Sequence, residues 1–538
     1  MHLRIPSALL LSVLCTSAAL AQSPAPGYRL YGELRSTDTH LVDAAGVIVQ
    51  TWPSTYQAAN GVRLMDDGSL YRSVSISCGL ATVCGGGIQR VAMDGSLLWE
   101  FRYDSPGRLS HHDIEVLPNG NVLLMAFEEL SHAQVIAMGR NPALLQGSVF
   151  RADHVVEVRP TGPTSGQIVW EWHVLDHLVQ DFDPARANYG SVGASVGRMD
   201  LNYPPTVESS EDWNHMNGID YDPIHDWIVL SAHTQDEIWI IDHSTTTAEA
   251  ATSRGGRYGR GGDFLYRWGN PAAYRRGSAA DQMLEGQHAP EFIPPGYPGE
   301  GNLMLFNNGT SATGSAAWEL ELPVDAQGQF LLDANGRYGP MSPAWSYQAP
   351  GFFSAFVSSA RRLPNGNTLI CSGAQAWVFE VTQAGQLVWE DRSFRRPIFH
   401  AHYTDQVLWG DRRSLSASQG GALRFDLLSG SSNSGATYLV LGSAAGTLPG
   451  IDLGSVLLPL NPDALFLAMA TAPNAAPHFQ QTAGSLNQVG RAQATLQIAP
   501  GSLWLRQPLE LHFASLVLDP VTLQARQASA AVAVTIQP

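Results

Sequence analysis

A short phrase that recurs along the chain constrains the fold more than any other feature of the sequence. Leu-Pro-Asn-Gly-Asn, followed by three mostly apolar residues, occurs at 117–124 and again at 363–370. Weaker copies occupy residues 64–70, 221–230 and 298–305. Each copy places turn-forming residues between two apolar runs of strand length, which predicts a β-hairpin. Hairpins that return along the chain predict a repeat architecture.

A second recurring phrase, a strand that ends in tryptophan, follows these hairpins. It reads Gly-Ser-Leu-Leu-Trp-Glu at 95–100 and Gly-Gln-Leu-Val-Trp-Glu at 385–390, with related copies at 166–171 and 263–268. We expect its Trp to pack between neighbouring sheets. Four short strands per unit, repeated around an axis, are typical of a β-propeller.

The number of hairpins sets the number of propeller blades. Further strands expected near residues 28–52 and 398–409 bring the count to about six, and helical periodicity is nearly absent. The sequence therefore predicts an all-β chain in which residues 22–410 form a six-bladed β-propeller.

The composition changes at Asp411. Beyond it the chain is rich in Ala, Ser, Leu and Gly, has few charges and lacks the Trp-ended phrase. Residues 436–442, 493–498 and 509–518 are short apolar segments separated by turn residues. They predict a small C-terminal β-sandwich over residues 411–538, an accessory domain without chemistry of its own.

The first residues resemble an export signal. Arg4 precedes an apolar run over residues 9–20, and Ala-Leu-Ala at 19–21 is a suitable cleavage site. We expect a signal peptide over residues 1–21 and a mature protein that is periplasmic or extracellular. No later run approaches the roughly 18 apolar residues of a membrane span, so no transmembrane segment is expected.

Three cysteines remain after such cleavage. Cys78 and Cys84 lie six residues apart in a Gly-rich loop, and in an oxidising compartment they are expected to form a disulfide. Cys371 lies in a strand-like apolar run and is expected to be a buried free thiol.

The charge composition excludes several chemistries. The chain has no lysine, so its 31 basic residues are all arginine, and 48 acidic residues give a formal net charge of −17. A phosphate-loop lysine, a Schiff-base lysine and a protein-kinase lysine are therefore excluded. An acidic chain without lysine also lacks the electrostatic footprint of a nucleic-acid-binding protein.

Histidines precede three of the hairpins at nearly the same distance. His112 stands five residues before Leu117, His215 six before Tyr221, and His288 five before Ile293. Equivalent positions in a propeller are related by rotation about the central axis. We therefore expect the three imidazoles to converge at one mouth of the channel.

A histidine at a strand entry often serves the structure alone, but three such rings in one cavity are costly unless they bind something. Two functions follow from the residues themselves. The first is a non-catalytic propeller that holds an anion or a glycan. The second is a metal-dependent enzyme in which His112, His215 and His288 bind an ion and leave one position open for water.

Around these histidines the sequence resembles the bacterial arylsulfate sulfotransferases over residues 28–410. The resemblance rests on His112-Asp113, on Asp-Trp-x-His-x-Asn-x-Ile-Asp-Tyr-Asp-Pro at 212–223, and on Gln287-His288 with Asn-Asn-Gly at 307–309. It implies a six-bladed propeller that transfers a sulfuryl group from one phenol to another through a sulfated histidine. An aryl sulfate and a phenol are the implied partners, and no cofactor or nucleotide sulfate donor is implied.

The resemblance also implies roles for individual residues. His288 matches the nucleophile of the family, whereas His112, His215 and Asn217 match its sulfate-binding residues. The family continues its central motif with Ser-Ser-Arg, but this chain has Ser-Ala-His at 231–233. We expect His233 to replace the arginine as a weaker cationic ligand for sulfate. His233 must then be protonated while His288 is neutral, which predicts activity within a narrow pH range.

Overall fold

The computed structural model describes most of the chain, namely residues 23–78, 84–206, 211–454, 456–475 and 478–538. The predicted signal peptide lies outside these residues. The described chain is nearly all β, as the repeats predict. None of the helices within the described ranges has the length and apolar content needed to cross a membrane.

Twenty-six strands precede residue 405 in the described chain. In chain order they are β1 (Tyr28–Glu33), β2 (Asp38–Asp43), β3 (Ile48–Pro53), β4 (Gln57–Leu64), β5 (Leu70–Cys78), β6 (Cys84–Val91), β7 (Leu97–Arg102), β8 (Arg108–Val116), β9 (Val122–Leu130), β10 (Phe150–Gly162), β11 (Ser165–His173), β12 (Leu178–Val179), β13 (Met199–Asp200), β14 (Met216–Asp222), β15 (Trp227–Ala232), β16 (Glu237–Asp242), β17 (Tyr266–Trp268), β18 (His288–Phe292), β19 (Leu303–Asn307), β20 (Ala316–Leu320), β21 (Trp345–Tyr347), β22 (Ser359–Arg362), β23 (Thr368–Ser372), β24 (Trp377–Val381), β25 (Leu387–Asp391) and β26 (Ile398–Thr404).

The remaining strands follow in the C-terminal part. They are β27 (Leu408–Gly410), β28 (Ser414–Ser416), β29 (Gly421–Leu428), β30 (Thr437–Ser443), β31 (Ile451–Asp452), β32 (Leu457–Leu458), β33 (Phe479–Gln480), β34 (Ala483–Ser485), β35 (Arg491–Ile498), β36 (Leu509–Leu518), β37 (Ala525–Ala528) and β38 (Val532–Gln537).

Helices are few and short among the described residues. The α-helices are α1 (His132–Ala137), α2 (Thr247–Ala250) and α3 (Ala464–Thr471). The 3-10 turns are Pro142–Leu144, Val174–Asp176, Val192–Ala194, His233–Gln235, Pro271–Tyr274, Ala279–Asp281, Gly373–Gln375 and Ser431–Asn433.

Of the described strands before residue 405, β12 and β13 form a parallel pair, and the other twenty-four form six antiparallel units of four. Their orders are β26-β1-β2-β3, β4-β5-β6-β7, β8-β9-β10-β11, β14-β15-β16-β17, β18-β19-β20-β21 and β22-β23-β24-β25. The second and third units merge into one eight-stranded sheet where Gly85 pairs with His111. A side chain cannot replace the hydrogen of Gly85, because its Cβ would lie 2.1 Å from the carbonyl oxygen of Ser110.

The first strands of these units contact one another in sequence. β4 contacts β8, β8 contacts β14, β14 contacts β18, β18 contacts β22, β22 contacts β26, and β26 contacts β4. The contacts therefore close into a circuit. Residue 28 of β1 pairs with residue 404 of β26, so the first unit, β26-β1-β2-β3, unites the two ends of the repeat region.

The repeated phrase forms the same turn in both of its best copies. In the β8–β9 hairpin the backbone N–H of Leu117 donates to the carbonyl of Asn121, and Gly120 has a φ of 85°. In the β22–β23 hairpin Leu363 donates to Asn367 in the same way. The glycine is needed because a positive φ strains any residue with a Cβ.

The Trp-ended strands join neighbouring units, as predicted. The indole N–H of Trp99 in β7 donates to the carbonyl of Ser165 in β11, and that of Trp170 in β11 donates to Oγ1 of Thr245. Trp389 in β25 donates to the carbonyl of Ala44, across the joint between the unit β22-β23-β24-β25 and the unit β26-β1-β2-β3. A buried indole thus packs between sheets while its polar atom remains satisfied.

Each first strand contributes an ionisable side chain to the lining of a second cavity of about 270 Å³. These residues are Arg63, Glu115, Asp220, Glu291, Arg361 and His402. Two ion pairs join neighbours, Arg63 with Glu115 at 2.6 Å and Arg361 with Glu291 at 2.7 Å. Burial, together with the charges of Glu115 and Glu291, raises the pKa of Asp220 well above its usual range.

The C-terminal strands form two larger sheets over a separate apolar core, and β31 and β32 form a small antiparallel pair. One sheet has the order β27-β29-β35-β33 and the other the order β28-β38-β36-β30-β34, with β37 also paired to β36. Phe425 and Phe513 belong to the core, with ring centroids 4.8 Å apart. Residues 408–410, which precede the predicted boundary, pair with β29 of this part.

Candidate active site

Four histidines from three neighbouring units line one cavity of about 790 Å³. His112 lies in β8, His215 directly precedes β14, His233 begins the turn after β15, and His288 begins β18. Successive ring centroids, taken in that order, are 4.8, 5.2 and 5.6 Å apart. The structure therefore brings together all four histidines that the sequence singled out.

The backbone around the cavity is bent at each strand entry. His112, His215 and Ala289 have φ values of 53°, 47° and 51°, which are uncommon for residues with a Cβ. The pairing register shifts at the same places in β8, β14 and β18. These bulges turn the imidazoles out of the sheet pleat and into the cavity.

His288 is held in one tautomer. Its Nδ1 lies 2.7 Å from Oδ1 of Asn308 and 3.0 Å from the carbonyl oxygen of Gly286. The amide nitrogen of Asn308 donates to the carbonyls of Ser354 and Val357, which fixes the oxygen toward His288. Since both neighbours of Nδ1 are acceptors, Nδ1 carries the proton and Nε2 carries a lone pair.

The lone pair of His288 has one backbone neighbour. The N–H of Val357 donates to Nε2 at 3.2 Å, and Val357 has a φ of 53°. Burial lowers the pKa of His288 to about 3, although the hydrogen bond to Asn308 opposes the change. With this pKa the imidazole of His288 is uncharged across the neutral pH range, and Nε2 is free of a proton.

His215 is the histidine of the cavity whose surroundings favour the charged form. Its Nδ1 lies 2.5 Å from Oδ2 of Asp212. Burial disfavours the imidazolium, but the hydrogen bond and the charges of Asp212 and Asp153 outweigh burial and raise the pKa of His215. Burial opposes the charged form of Asp212 as well, yet its contact with His215 lowers the pKa of that carboxyl group.

The surroundings of His233 oppose the cationic role that the resemblance implies for it. Burial, with the charges of His215 and His288 nearby, lowers the pKa of His233 well below its usual value. A second positive charge so close to the His215 imidazolium is unfavourable, which is the physical reason for the difference from the predicted role.

His112 is backed by a hydrogen-bonded pair. Nε2 of His111 lies 3.3 Å from Oδ1 of Asp153, and Nδ1 of His111 lies 2.8 Å from Nδ1 of His112. Burial and the neighbouring histidines lower the pKa of His112 well below its usual value. When both rings are neutral, the carboxylate keeps the proton of His111 on Nε2, so His112 donates from Nδ1 and retains a lone pair on Nε2.

Asn217 lies behind the cavity wall rather than in it. Its side chain is fully buried, and its amide nitrogen donates to the carbonyl of Gln287 at 2.9 Å. The hydroxyl of Ser231 donates to the same carbonyl. Asn217 thus holds the backbone directly before His288.

Cys78 and Cys84 form a disulfide that lies in the cavity wall, and Cys371 is a buried free thiol. Residues 79–83 between the paired cysteines lie outside the described chain. The wall also includes Arg35 and Phe356, for which no sequence signal existed.

Three residues that orient the histidines of the cavity also stand out in the sequence. Asp212 and Asn308 both lie inside the motifs quoted above, and His111 directly precedes His112. A carboxylate or amide close in sequence to a functional histidine is a common orienting partner, so these positions could have been assigned such a role.

Potential metal ligands gather elsewhere in the described chain. Glu128, His154 and His173 place ligand-type atoms within 4.8 Å of one another. The rings of His154 and His173 stack at 4.7 Å and 7°, so their in-plane lone pairs lie in nearly parallel planes. Among the described residues, His112, His215 and His288 form no such group.

Comparison with known families gives one match. The family model described as Arylsulfotransferase (ASST) matches residues 31–406, which include all four histidines of the cavity. No curated protein matches the sequence.

Several solved structures resemble the described chain at low sequence identity. A protein of unknown function from Bacteroides caccae has a TM-score of 0.40 at 13% identity and covers 70% of this chain and 98% of its own. For virginiamycin B lyase from Staphylococcus aureus the TM-score is 0.31 at 10% identity, covering 68% of this chain and 77% of that one. For a putative 6-phosphogluconolactonase from Bacteroides fragilis the TM-score is 0.34 at 12% identity, and the match covers 71% of this chain and 99% of that one.

Proposed function

Because the chain belongs to the arylsulfotransferase family, we propose that it transfers a sulfuryl group from an aryl sulfate to a phenol through a sulfated His288. No nucleotide sulfate donor is required. The observation that carries this proposal is the state of His288, with Nδ1 fixed as a donor and Nε2 free of a proton. Sulfuryl transfer needs such a nucleophile at neutral pH.

The first half-reaction forms the covalent intermediate. The Nε2 lone pair attacks sulfur, an N–S bond forms, and the bond from sulfur to the aryl oxygen breaks. The leaving phenolate then takes a proton from solvent. The N–H of Val357 must release Nε2 for this attack, so substrate binding displaces the 3.2 Å contact.

The imidazolium of His215 stabilises the transferring group. A charge-assisted hydrogen bond to a sulfuryl oxygen becomes stronger as charge grows on that oxygen in the transition state. Asp212 keeps this imidazole charged and oriented. His233, between His215 and His288, supplies a neutral N–H, and Asn217 keeps the entry to β18 in place.

The second half-reaction returns His288 to its starting state. The phenol oxygen attacks sulfur, the N–S bond breaks, and the phenol proton moves to Nε2 of His112. The lone pair on that atom follows from the contacts to His111 and Asp153. The proton then leaves to solvent, so the overall exchange of one aryl sulfate for another is balanced.

We further infer that the units of four strands are the six blades of one propeller over residues 22–410, with a β-sandwich over 411–538. The closed circuit of first strands supports the propeller, and the two sheets over a separate core support the sandwich. We also infer export after removal of residues 1–21, which the Cys78–Cys84 disulfide supports. N-terminal sequencing of protein recovered outside the cytoplasm tests the cleavage site.

Transfer of label from an aryl ³⁵S-sulfate tests the mechanism. Wild-type protein should retain label on the chain, and His288→Ala should retain none while it keeps the wild-type circular dichroism spectrum. His478→Ala changes an exposed histidine outside the cavity and should behave like the wild type. With a chromogenic donor and a phenol acceptor, ping-pong kinetics are expected.

Two other functions remain as outcomes of these experiments. A wild-type protein that takes up no label but binds aryl sulfates is the non-catalytic propeller. A purified protein that contains stoichiometric metal, and loses activity with a chelator, is the metal-dependent enzyme with His112, His215 and His288 as ligands.

A further inference from the structure

The charges around the cavity leave an anionic substrate without a counter-charge from the histidines. The His215 imidazolium is already balanced by Asp212 at 2.5 Å, and the other three imidazoles favour the neutral form. An aryl sulfate carries a negative charge, and an anion that leaves water needs a compensating cation. The four histidines of the cavity, taken together with Asp212, therefore contribute no net charge toward that anion.

Among the described residues that line the cavity, there is one guanidinium and no carboxylate. The guanidinium belongs to Arg35, which lies between β1 and β2, and the absence of lysine from the chain leaves no other permanent side-chain cation there. Arg35 comes from the first unit, far in sequence from the central motif in which the family carries its arginine.

The backbone at Arg35 is fixed by hydrogen bonds, whereas its guanidinium has no partner among the described residues. The N–H of Leu34 donates to the carbonyl of Pro397 at 2.8 Å, and Nη1 of Arg396 donates to the carbonyl of Arg35 at 2.8 Å. Arg35 has a φ of 62°, an uncommon conformation for arginine. Within the described chain its guanidinium makes no hydrogen bond or ion pair with another residue.

The surroundings of Arg35 suit an aromatic anion. Leu34, Val357 and Phe356 also line the cavity, and Phe356 is 46% exposed, so an unpaired aromatic face lies open to a ligand. A cavity of about 790 Å³ is within the range that holds a small aromatic molecule. Apolar surface and a free guanidinium in one cavity match the two ends of an aryl sulfate.

We propose that Arg35 is the permanent cation of this cavity and binds the sulfate group of the aryl sulfate, in place of the guanidinium that the central motif lacks. The inference rests on the proposed function for the class of substrate. It adds a binding residue from the opposite end of the repeat region. Arginine suits this role because its fork of N–H donors matches two oxygens of one sulfate.

Binding of benzenesulfonate tests the proposal without any reaction, because its carbon–sulfur bond is not broken in sulfuryl transfer. We compare wild type with Arg35→Gln, Arg35→Lys and Arg395→Gln by titration calorimetry. Arg395 is an exposed arginine that does not line the cavity, and its backbone N–H donates to Oε1 of Glu33, two residues before Arg35. Its variant therefore removes an equal charge from the same part of the chain.

The expected result is a dissociation constant about tenfold higher in Arg35→Gln, which is the scale of one lost charge-assisted hydrogen bond. The dissociation constant of Arg35→Lys should lie between those of the wild type and Arg35→Gln, because lysine retains the charge but lacks the fork of N–H donors. Arg395→Gln should change affinity by less than about twofold, as expected for an exposed charge in salt. An equal loss of benzenesulfonate affinity in Arg35→Gln and Arg395→Gln, or no loss of affinity in Arg35→Gln, overturns the proposal.

The same proteins are assayed for transfer, which separates this inference from the proposed function. A wild type that binds benzenesulfonate through Arg35 but transfers nothing overturns the transferase and leaves the anion site standing. A wild type that transfers, with unchanged benzenesulfonate affinity in Arg35→Gln, overturns the role of Arg35 alone.

Discussion

The Nδ1 atom of His288 lies 2.7 Å from Oδ1 of Asn308, and this contact decides which nitrogen of the imidazole can act. The orientation of Asn308 is itself fixed, because its amide nitrogen donates to the carbonyls of Ser354 and Val357. One buried amide therefore connects the nucleophile to the segment whose N–H covers Nε2.

Asn308→Ala is expected to lower kcat on the order of 100-fold, because His288 loses the partner that fixes its tautomer. Asn307→Ala is the matched control, since it removes a neighbouring buried amide that contacts Met283 and Glu285 instead. Steady-state rates with a chromogenic aryl sulfate measure the difference. Similar losses in both variants would show that the effect is structural.

His112→Gln is expected to slow the second half-reaction more than the first. The first half-reaction needs no base at residue 112, whereas the phenol acceptor loses its proton to it. Rapid mixing should therefore show a normal burst of the first phenol, followed by turnover slowed about 10- to 100-fold. A burst that slows as much as the steady state would assign His112 to sulfate binding instead.

Activity is expected to extend over a broad pH range. His288, with a pKa of about 3, stays neutral at mildly acid pH, and His215, with a raised pKa, stays charged toward the alkaline side. The sequence predicted a narrow range because it assigned the cation to His233. The pH profile of kcat/KM decides between the broad and the narrow range.

Asp212→Asn should move the alkaline limb of that profile to lower pH. The carboxylate stabilises the imidazolium of His215, so its removal lowers the pKa of His215 and the charge is lost earlier as pH rises. Asp222→Asn is the matched control, because Asp222 makes the same contact with His225 three residues away and outside the cavity. A shift of the same size in the control would contradict the assignment.

His233→Arg should tighten anion binding at alkaline pH, where a guanidinium remains charged. Because the ring of His233 lies 5.2 Å from that of His215, the new charge should also lower the pKa of His215. Benzenesulfonate affinity measured against pH, with His233→Gln as the uncharged control, checks both effects. Equal affinities for the two variants at alkaline pH would contradict this expectation.

Arg63→Met is expected to destabilise the fold by about 3 kcal/mol at neutral pH, because the buried Asp113 and the partly buried Glu115 lose their partner. Urea unfolding measures the change, and Arg63→Met with Glu115→Leu should recover part of it. Arg102→Met breaks an exposed pair with Asp104 and should leave the midpoint nearly unchanged.

The hairpins and the Trp-ended strands were predictable because their signals are local. The turn at Asn119–Asn121 needs only its own residues, and the indole of Trp99 needs only an adjacent sheet. The convergence of His112, His215 and His288 followed from their shared position in the repeat.

Charge states and the opposite wall of the cavity were not predictable in this way. The pKa of His233 depends on burial beside His215, which appears only after folding. Arg35 faces these histidines because β1 pairs with β26, a contact between distant parts of the chain. No periodicity in the sequence indicates that pairing.

The joint at Tyr28 and Thr404 also sets the order of assembly. A ribosome must deliver the whole repeat region before β1 meets β26, and until then open strand edges are available to other chains. Contacts so distant in sequence make closure slow, and slow closure prolongs exposure to aggregation. Refolding yield should therefore fall as the protein concentration rises, because chains that have not closed meet one another before β26 reaches β1.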